Sequence, residues 1–272
     1  MNEEIRKIKN RINENMMKIR KKIIILSNKG GVGKTALTVS LAGIFSLKGK
    51  KTGLLDADIH GPSIIKAVGL DGEKLRASDE GIFPLEKGNL KVISMGSILE
   101  KEDSPVIWRG PLKTGVLRQF LGDVIWGELD FLFVDLPPGT GDEPMSVIQL
   151  IGNVDCGIVV TTPQDIALLD TRKCINFLKH MQVSVCGVVE NMSGFICPHC
   201  GKEIDIFKKG GGEKIASEMK VPFLGRVPFD PRIVENMDRG LEFVLEFPNS
   251  KAAQSLISIA EDIEKILEIS EK

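Results

Sequence analysis

Along this chain, short unbroken apolar runs take turns with stripes spaced for one face of a helix. Residues 23–26, Ile-Ile-Ile-Leu, are apolar and largely β-branched, which predicts a buried strand. Ala36, Leu37, Val39, Leu41, Ala42, Ile44 and Phe45 then recur at helical spacing. Further strands are predicted at 52–55, 131–135, 157–161, 185–190 and 223–227, and helices at 171–181, 212–219 and 250–267. Another helix should follow Pro111, with Leu112, Val116, Leu117, Phe120 and Leu121 on its face. Strands alternating with helices mean right-handed βαβ units, so the expected fold class is α/β, a mostly parallel sheet with helices on both faces. Residues 71–105 interrupt the rhythm with glycine turns and short strands at 81–84 and 90–95, and read as an insertion carrying little chemistry. Ahead of the first strand, residues 3–20 predict an amphipathic helix whose stripe is Ile5, Ile8, Ile12, Met16 and Ile19. With no internal repeat or long linker, the expectation is an N-terminal helix over 1–21 and one domain over 22–272.

The first strand-to-helix junction carries a chemical signature, Asn28-Lys29-Gly30-Gly31-Val32-Gly33-Lys34-Thr35, with Ala36 opening the helix. Strand, glycine loop and helix together are the context a phosphate cradle requires. Glycines let the backbone wrap closely so that successive N–H groups point inward, and the helix N-terminus adds a partial positive charge. Lys34 would reach the β/γ-phosphates and the Thr35 hydroxyl would bind Mg²⁺, which makes this a P-loop NTPase pattern. Asn28 stands where the pattern has its first glycine, and asparagine tolerates a left-handed backbone. A dinucleotide fingerprint fits worse, because its third glycine would fall at Ala36 and the Lys-Thr pair would go unexplained.

Two carboxylates, Asp56 and Asp58, follow the second strand, where a parallel sheet presents its chemistry. One would orient water and the other assist a metal, or both merely cap a helix begun at Pro62. His60 has no visible partner and reads as structural. Asp135 ends an apolar strand in the Walker B manner and would hold Mg²⁺. The loop 136–142 after it, Leu-Pro-Pro-Gly-Thr-Gly-Asp, is suited to sense a γ-phosphate. Arg109 admits a phosphate contact, a partner contact or a surface ion pair.

Cys197 and Cys200 sit in a polar loop, at a spacing that suits one metal or cluster edge, a redox disulfide, or neither. Zinc and [4Fe–4S] sites want about four ligands, and this loop offers two thiols. Cys156, Cys174 and Cys186 fall in predicted strands or a helix and read as packed core thiols, while His199 between the two cysteines would be a strained ligand. A two-fold axis bringing Cys197 and Cys200 from each of two chains reaches four ligands simply, which suggests a homodimer.

Composition changes this picture little. The chain has 272 residues, 42% hydrophobic and 27% charged, with a net charge of −1, so nothing global argues for nucleic acid or an anionic membrane. No apolar run has the roughly 18–20 residues of a spanning helix. Residues 1–22 hold eight Lys/Arg against three Asp/Glu, which reads as a solvated helix lying on its own domain; residues 261–272 hold five acids against two lysines, unsuited to an anionic membrane. Five cysteines, an odd number, and no secretory leader pattern point to a reducing, cytoplasmic setting rather than a disulfide framework.

Taken together, NKGGVGKT, DADIHGPS, PVIWRGP, DLPPGTGD, TTPQ, ENMSGFICPHCG and KGGGEKIA make the chain resemble the Mrp/ApbC-type iron–sulfur cluster carriers. These are P-loop ATPases related to MinD, ParA and the nitrogenase iron protein, and the resemblance runs from about residue 22 to residue 239. It implies that Lys29 is the deviant Walker lysine reaching a partner's nucleotide, Asp58 the residue positioning attacking water, and Asp135 the metal residue. It implies that Asn191 contacts adenine, with the loop at Pro228 beside it. Cys197 and Cys200 would hold a bridging cluster, usually [4Fe–4S]. No cysteine precedes Cys156, so the extra N-terminal cluster site of some relatives is missing. The resemblance thus implies ATP hydrolysis at low turnover with Mg²⁺, a homodimer, and transfer of cluster to apo-proteins, with no nucleic acid or membrane partner. The rival readings are a ParA/MinD-like positioning ATPase and a zinc-stapled nucleotide-binding adaptor.

Overall fold

The computed structural model describes residues 3–58, 63–97, 110–197 and 199–269. Helix α1 (Glu3–Met17) leads into β1 (Ile19–Leu26), α2 (Lys34–Leu47), β2 (Thr52–Asp56) and the single turn α3 (Ile64–Ala67). Short strands follow, β3 (Arg76–Ser78), β4 (Gly81–Phe83), β5 (Leu85–Lys87) and β6 (Leu90–Ile93), then α4 (Gly110–Gly122). Next come β7 (Leu129–Asp135), α5 (Asp142–Ile151), β8 (Cys156–Thr161), α6 (Asp165–His180), β9 (Val185–Ile196) and β10 (Glu203–Ile204). The chain closes with α7 (Gly211–Met219), β11 (Phe223–Phe229), α8 (Pro231–Asp238), α9 (Phe243–Glu246) and α10 (Lys251–Ile269).

Among the described residues, nine strands form one sheet in the order β10-β9-β8-β1-β7-β2-β6-β5, with β11 also paired to β9. The central pairings are all parallel; only β5 on β6 and β10 on β9 run antiparallel. The α/β fold read from the alternation is the fold observed. Successive side chains of β1 explain why both faces need cover. Ile23 and Ile25 join Leu54 and Phe133 beneath α2 and α10, whereas Ile24 and Leu26 join Leu55 and Val134 beneath α1, α4, α5 and α6.

Helix α1 belongs to this second layer, with Ile12 and Met16 buried. Asn15 Nδ2 donates to the carbonyls of Leu121, Gly122 and Val124 at 3.1, 3.0 and 2.9 Å, which satisfies the last turn of α4. The helix is shorter than the predicted 3–20, because it stops at Met17 and Ile19 instead opens β1 opposite Leu129. The buried Lys22 ammonium donates to Met16 O at 3.4 Å, a carbonyl freed at that helix end, and to Ile19 O at 3.1 Å at the start of β1.

Two other differences bear on function. The strand predicted at 185–190 continues to Ile196, since β11 pairs with it as far as Phe195 and β10 pairs with its last two residues. Cys197 therefore sits at the tip of a β9–β10 hairpin rather than in a free loop. Cys156 and Cys186, expected as separate core thiols, are joined in a disulfide between neighbouring strands across a Cα–Cα distance of 5.4 Å. Counting cysteines cannot see two strands that the fold lays side by side. Cys174 is a buried free thiol, as expected. His60, Pro62 and Arg109 lie outside the described residues.

Candidate nucleotide site and thiol pair

The loop after β1 turns on Gly31 (φ +78°) and Gly33 (φ +80°), a backbone that glycine adopts without strain. At Gly33 a Cβ would overlap the amide of Asn191, whose Nδ2 donates to Val32 O at 2.9 Å. Asn28 does not take the left-handed backbone expected of it. Its side chain makes a tie to α6 instead, Nδ2 donating to Asp170 Oδ1 at 2.6 Å. Lys29 turns the same way, its Nζ 2.9 Å from Asp170 Oδ2. The hydrogen bond from Lys29, helped by Lys173 and Asn28, holds the Asp170 carboxyl below the ordinary carboxylate range.

Three side chains of α2 converge on Asp135 at the end of β7. Lys34 Nζ lies 2.7 Å from Oδ1, Thr38 Oγ1 donates to Oδ1 at 2.9 Å, and Thr35 Oγ1 donates to Oδ2 at 2.7 Å. The β2–β7 register sets Asp56 directly beside Asp135. Asp56 accepts from Ser94 Oγ at 2.7 Å and from the Asp58 N–H at 3.1 Å, while Asp58 itself is half-buried. Within the stretch 71–105, read as an insertion carrying little chemistry, Ser94 does reach the site: β6 pairs parallel to β2 and delivers this hydroxyl just past its own end.

Burial first, and then the negative charge of Asp135, push the Asp56 carboxyl from 3.8 up to about 8. A group whose folded pKa is raised favours folding most below its unfolded pKa and loses that advantage as pH rises through the folded one. In the nucleotide-free protein, Asp56→Asn keeps a partner for Ser94 and for the Asp58 N–H but cannot ionise. Its stability relative to the parent should therefore grow between about pH 4 and pH 8, by on the order of a few kcal/mol, and level off above that. Urea unfolding across that range checks it; a flat difference would mean that Asp56 titrates normally.

An apolar cleft of about 80 Å³ brings Gly33 and Ala36 against Asn191 and Pro228, the pair that the family resemblance implies for the base. A larger cavity of about 380 Å³ follows the loop from Ser27 to Val32, past Gly30, and is closed by Thr162, Gln164 and Phe207. Thr38, Ser94 and Asp170 escaped the sequence reading. Only Thr38, one helical turn after Lys34, carried a local signal.

The thiol pair stands apart from these contacts. Cys197 N–H donates to Lys202 O and Gly201 N–H to Cys197 O, each at 2.9 Å, so the hairpin tip closes on itself. Backbone N–H groups of Cys200 and His199, with the Cys200 side chain, hold the Cys197 thiol below its ordinary pKa. His199 thus acts on Cys197 through its backbone N–H, while the residue itself is exposed. Among the described residues, no group of three or more His, Cys, Asp or Glu is placed to hold a metal ion.

A glycine loop that opens a helix, with lysine and threonine drawn onto a buried aspartate at the end of a parallel strand, defines a P-loop nucleotide-binding protein. A family profile described as the NUBPL iron-transfer P-loop NTPase, of the ParA group, matches residues 18–264, and the chain belongs to that family. The chain is 51% identical over 236 residues to the iron-sulfur cluster carrier protein of Methanocaldococcus jannaschii, covering 86% of this chain and 81% of that one. Among solved structures it is similar to a nucleotide-binding protein of Archaeoglobus fulgidus in complex with ADP, with a TM-score of 0.76 and 38% identity, covering 86% and 92% of the two chains. It is also similar to the cell division ATPase MinD of Pyrococcus furiosus, with a TM-score of 0.69 and 26% identity over 91% and 99% of the chains. The resemblance to the cluster-carrier branch of P-loop NTPases therefore holds. No helix among the described residues is long and apolar enough to cross a membrane.

Proposed function

We propose that this protein is an ATP-hydrolysing carrier that holds an iron–sulfur cluster between two copies of itself and passes it to apo-proteins. The observation that carries the reading is the hairpin tip: two thiols, one of them biased toward thiolate, with no third ligand beside them among the described residues. Two such tips facing across a two-fold axis supply the four ligands of a [4Fe–4S] cargo, Cys197 and Cys200 from each chain.

In the same reading, the loop 28–36 wraps the phosphates, Lys34 leaves Asp135 for the β/γ-phosphates, and Lys29 leaves Asp170 for the nucleotide of the second copy. Thr35 and Asp135 present hard oxygen donors that fit Mg²⁺, which would neutralise phosphate charge when bound. Asp58 orients the attacking water, and Asn191 and Pro228 hold the base in the apolar cleft. Turnover is slow because the site is complete only in the dimer.

Anaerobic reconstitution with ferrous iron and sulfide, followed by size exclusion, tests this. The expected product is a dimer with about four irons and four acid-labile sulfides. A dimer holding only zinc makes the protein a nucleotide-binding adaptor. Colourless protein that sediments with DNA or lipid vesicles in ATP makes it a positioning ATPase.

A further inference from the structure

Glu190 is the last residue of β9 paired with β8, opposite Thr161, and its side chain is fully buried. Its carboxylate is surrounded by donors. Gly210 N–H at 2.9 Å and Ser193 Oγ at 2.5 Å reach Oε1, Gly212 N–H at 2.5 Å reaches Oε2, and Arg226 Nε lies 3.5 Å from Oε1. Gly210 caps α7 and Gly212 is in its first turn, so the carboxylate is seated on the start of that helix. A Cβ at Gly212 would stand 3.0 Å from Glu190 Cβ and 3.2 Å from Thr161 Cγ2, which gives the glycine run in KGGGEKIA a physical reason. A buried carboxylate costs several kcal/mol unless it is compensated in this way, and neither phosphate binding nor hydrolysis uses this one.

What β9 does on leaving Glu190 gives the clamp its purpose. The next residue, Asn191, holds the P-loop through Val32 O. Met192 (φ +55°) and Gly194 (φ +76°) then break the extended backbone, and Ile196 ends the strand at Cys197. The nucleotide loop and the thiol thus hang on one short segment, fixed to the sheet and to α7 at Glu190.

We propose that Glu190 is a positioning residue for the thiol pair. It anchors β9 so that a change at the Asn191 contact, when nucleotide fills the loop, swings the hairpin at Met192 and Gly194 instead of being absorbed by the sheet. It touches neither nucleotide nor cargo. The inference rests on the carrier reading for its purpose, but its test needs no cluster.

The test follows labelling of the cluster-free, full-length protein by an aromatic disulfide reagent, with and without a non-hydrolysable ATP analogue and Mg²⁺. Cys156 and Cys186 are paired and Cys174 is buried, so the signal reports Cys197 and Cys200. In the parent, saturating analogue should change the labelling rate about fivefold or more. Glu190→Gln sets amide N–H groups against glycine N–H donors; the change should shrink to within about 1.5-fold while analogue affinity stays within about threefold. Should that variant fail to fold, Ser193→Ala, which removes one donor and keeps the charge, must at least halve the nucleotide effect. A parent with no nucleotide effect, or variants that keep all of it, overturns the inference. Iron content after reconstitution of the same proteins is the separate check: a parent that takes up no cluster sinks the carrier reading and leaves the labelling result standing.

Discussion

Changing Cys197 to alanine is expected to abolish cluster binding while leaving the fold and the nucleotide site as they are. In the bridged dimer proposed above, each variant pair would keep only the two Cys200 thiolates, one per chain. Since a complete thiolate site is worth on the order of 10 kcal/mol or more, losing half of its ligands should lower affinity by at least about 10³-fold. The thiol removed is also the one that the backbone N–H groups of Cys200 and His199 bias toward the ligating thiolate. Cys197 is only half-buried at a hairpin tip, so unfolding stability should change by no more than about 0.5 kcal/mol. The matched control is Cys174→Ala. That thiol is fully buried and pushed up to about 12 by its surroundings, so it is inert as a ligand. Its loss should cost about 1–2 kcal/mol of stability and no cluster at all. Visible absorption after anaerobic reconstitution, with urea unfolding alongside, separates the two. Colour retained by the Cys197 variant would place the cluster elsewhere.

That contrast also shows what a linear reading reaches and what it misses. The P-loop, the Walker B strand and the Cys-x-x-Cys spacing are local, each written in fewer than about ten residues with its own periodicity or glycine requirement, and each was legible. The sheet was legible because buried parallel strands are continuous apolar runs. What stayed hidden depends on partners distant in the chain. Ser94 matters only because β6 lies beside β2, and Asp170 only because α6 packs by the P-loop, where Asn28 and Lys29 reach it. The length of β9 is hidden for the same reason: Asn191, Ser193 and Gly194 are poor strand formers alone, and the segment is kept in the sheet by the pairing of Asn191 and Phe195 with β11 and of Phe195 and Ile196 with β10. The Cys156–Cys186 bridge is a fact about neighbouring strands, not about cysteine number.

The second large effect is expected at Lys34. In the nucleotide-free chain its ammonium is buried against Asp135, and with Asp56 alongside, it is the positive charge that lets two neighbouring acidic side chains share one end of the sheet. Lys34→Ala removes that charge, so two separate losses should appear in one protein. Hydrolysis should fall by about 10²-fold or more, since the transferred phosphoryl group loses its main cation from this loop. The nucleotide-free fold should lose on the order of 3 kcal/mol, because Asp135 keeps only the hydroxyls of Thr35 and Thr38. Single-turnover hydrolysis measures the first and urea unfolding the second; a variant that hydrolyses within about tenfold of the parent would mean that another group carries the phosphate charge. The same variant also decides whether hydrolysis drives delivery. If nucleotide acts on the thiols only by occupying the loop beside Asn191, Lys34→Ala loaded with cluster should still release it when ATP is added, provided ATP binds. If each release needs a spent phosphate, the loaded variant should hold its cluster in ATP while the parent empties into an apo-acceptor. Both outcomes are read from the acceptor's own absorption, and they assign the work of transfer either to binding or to cleavage.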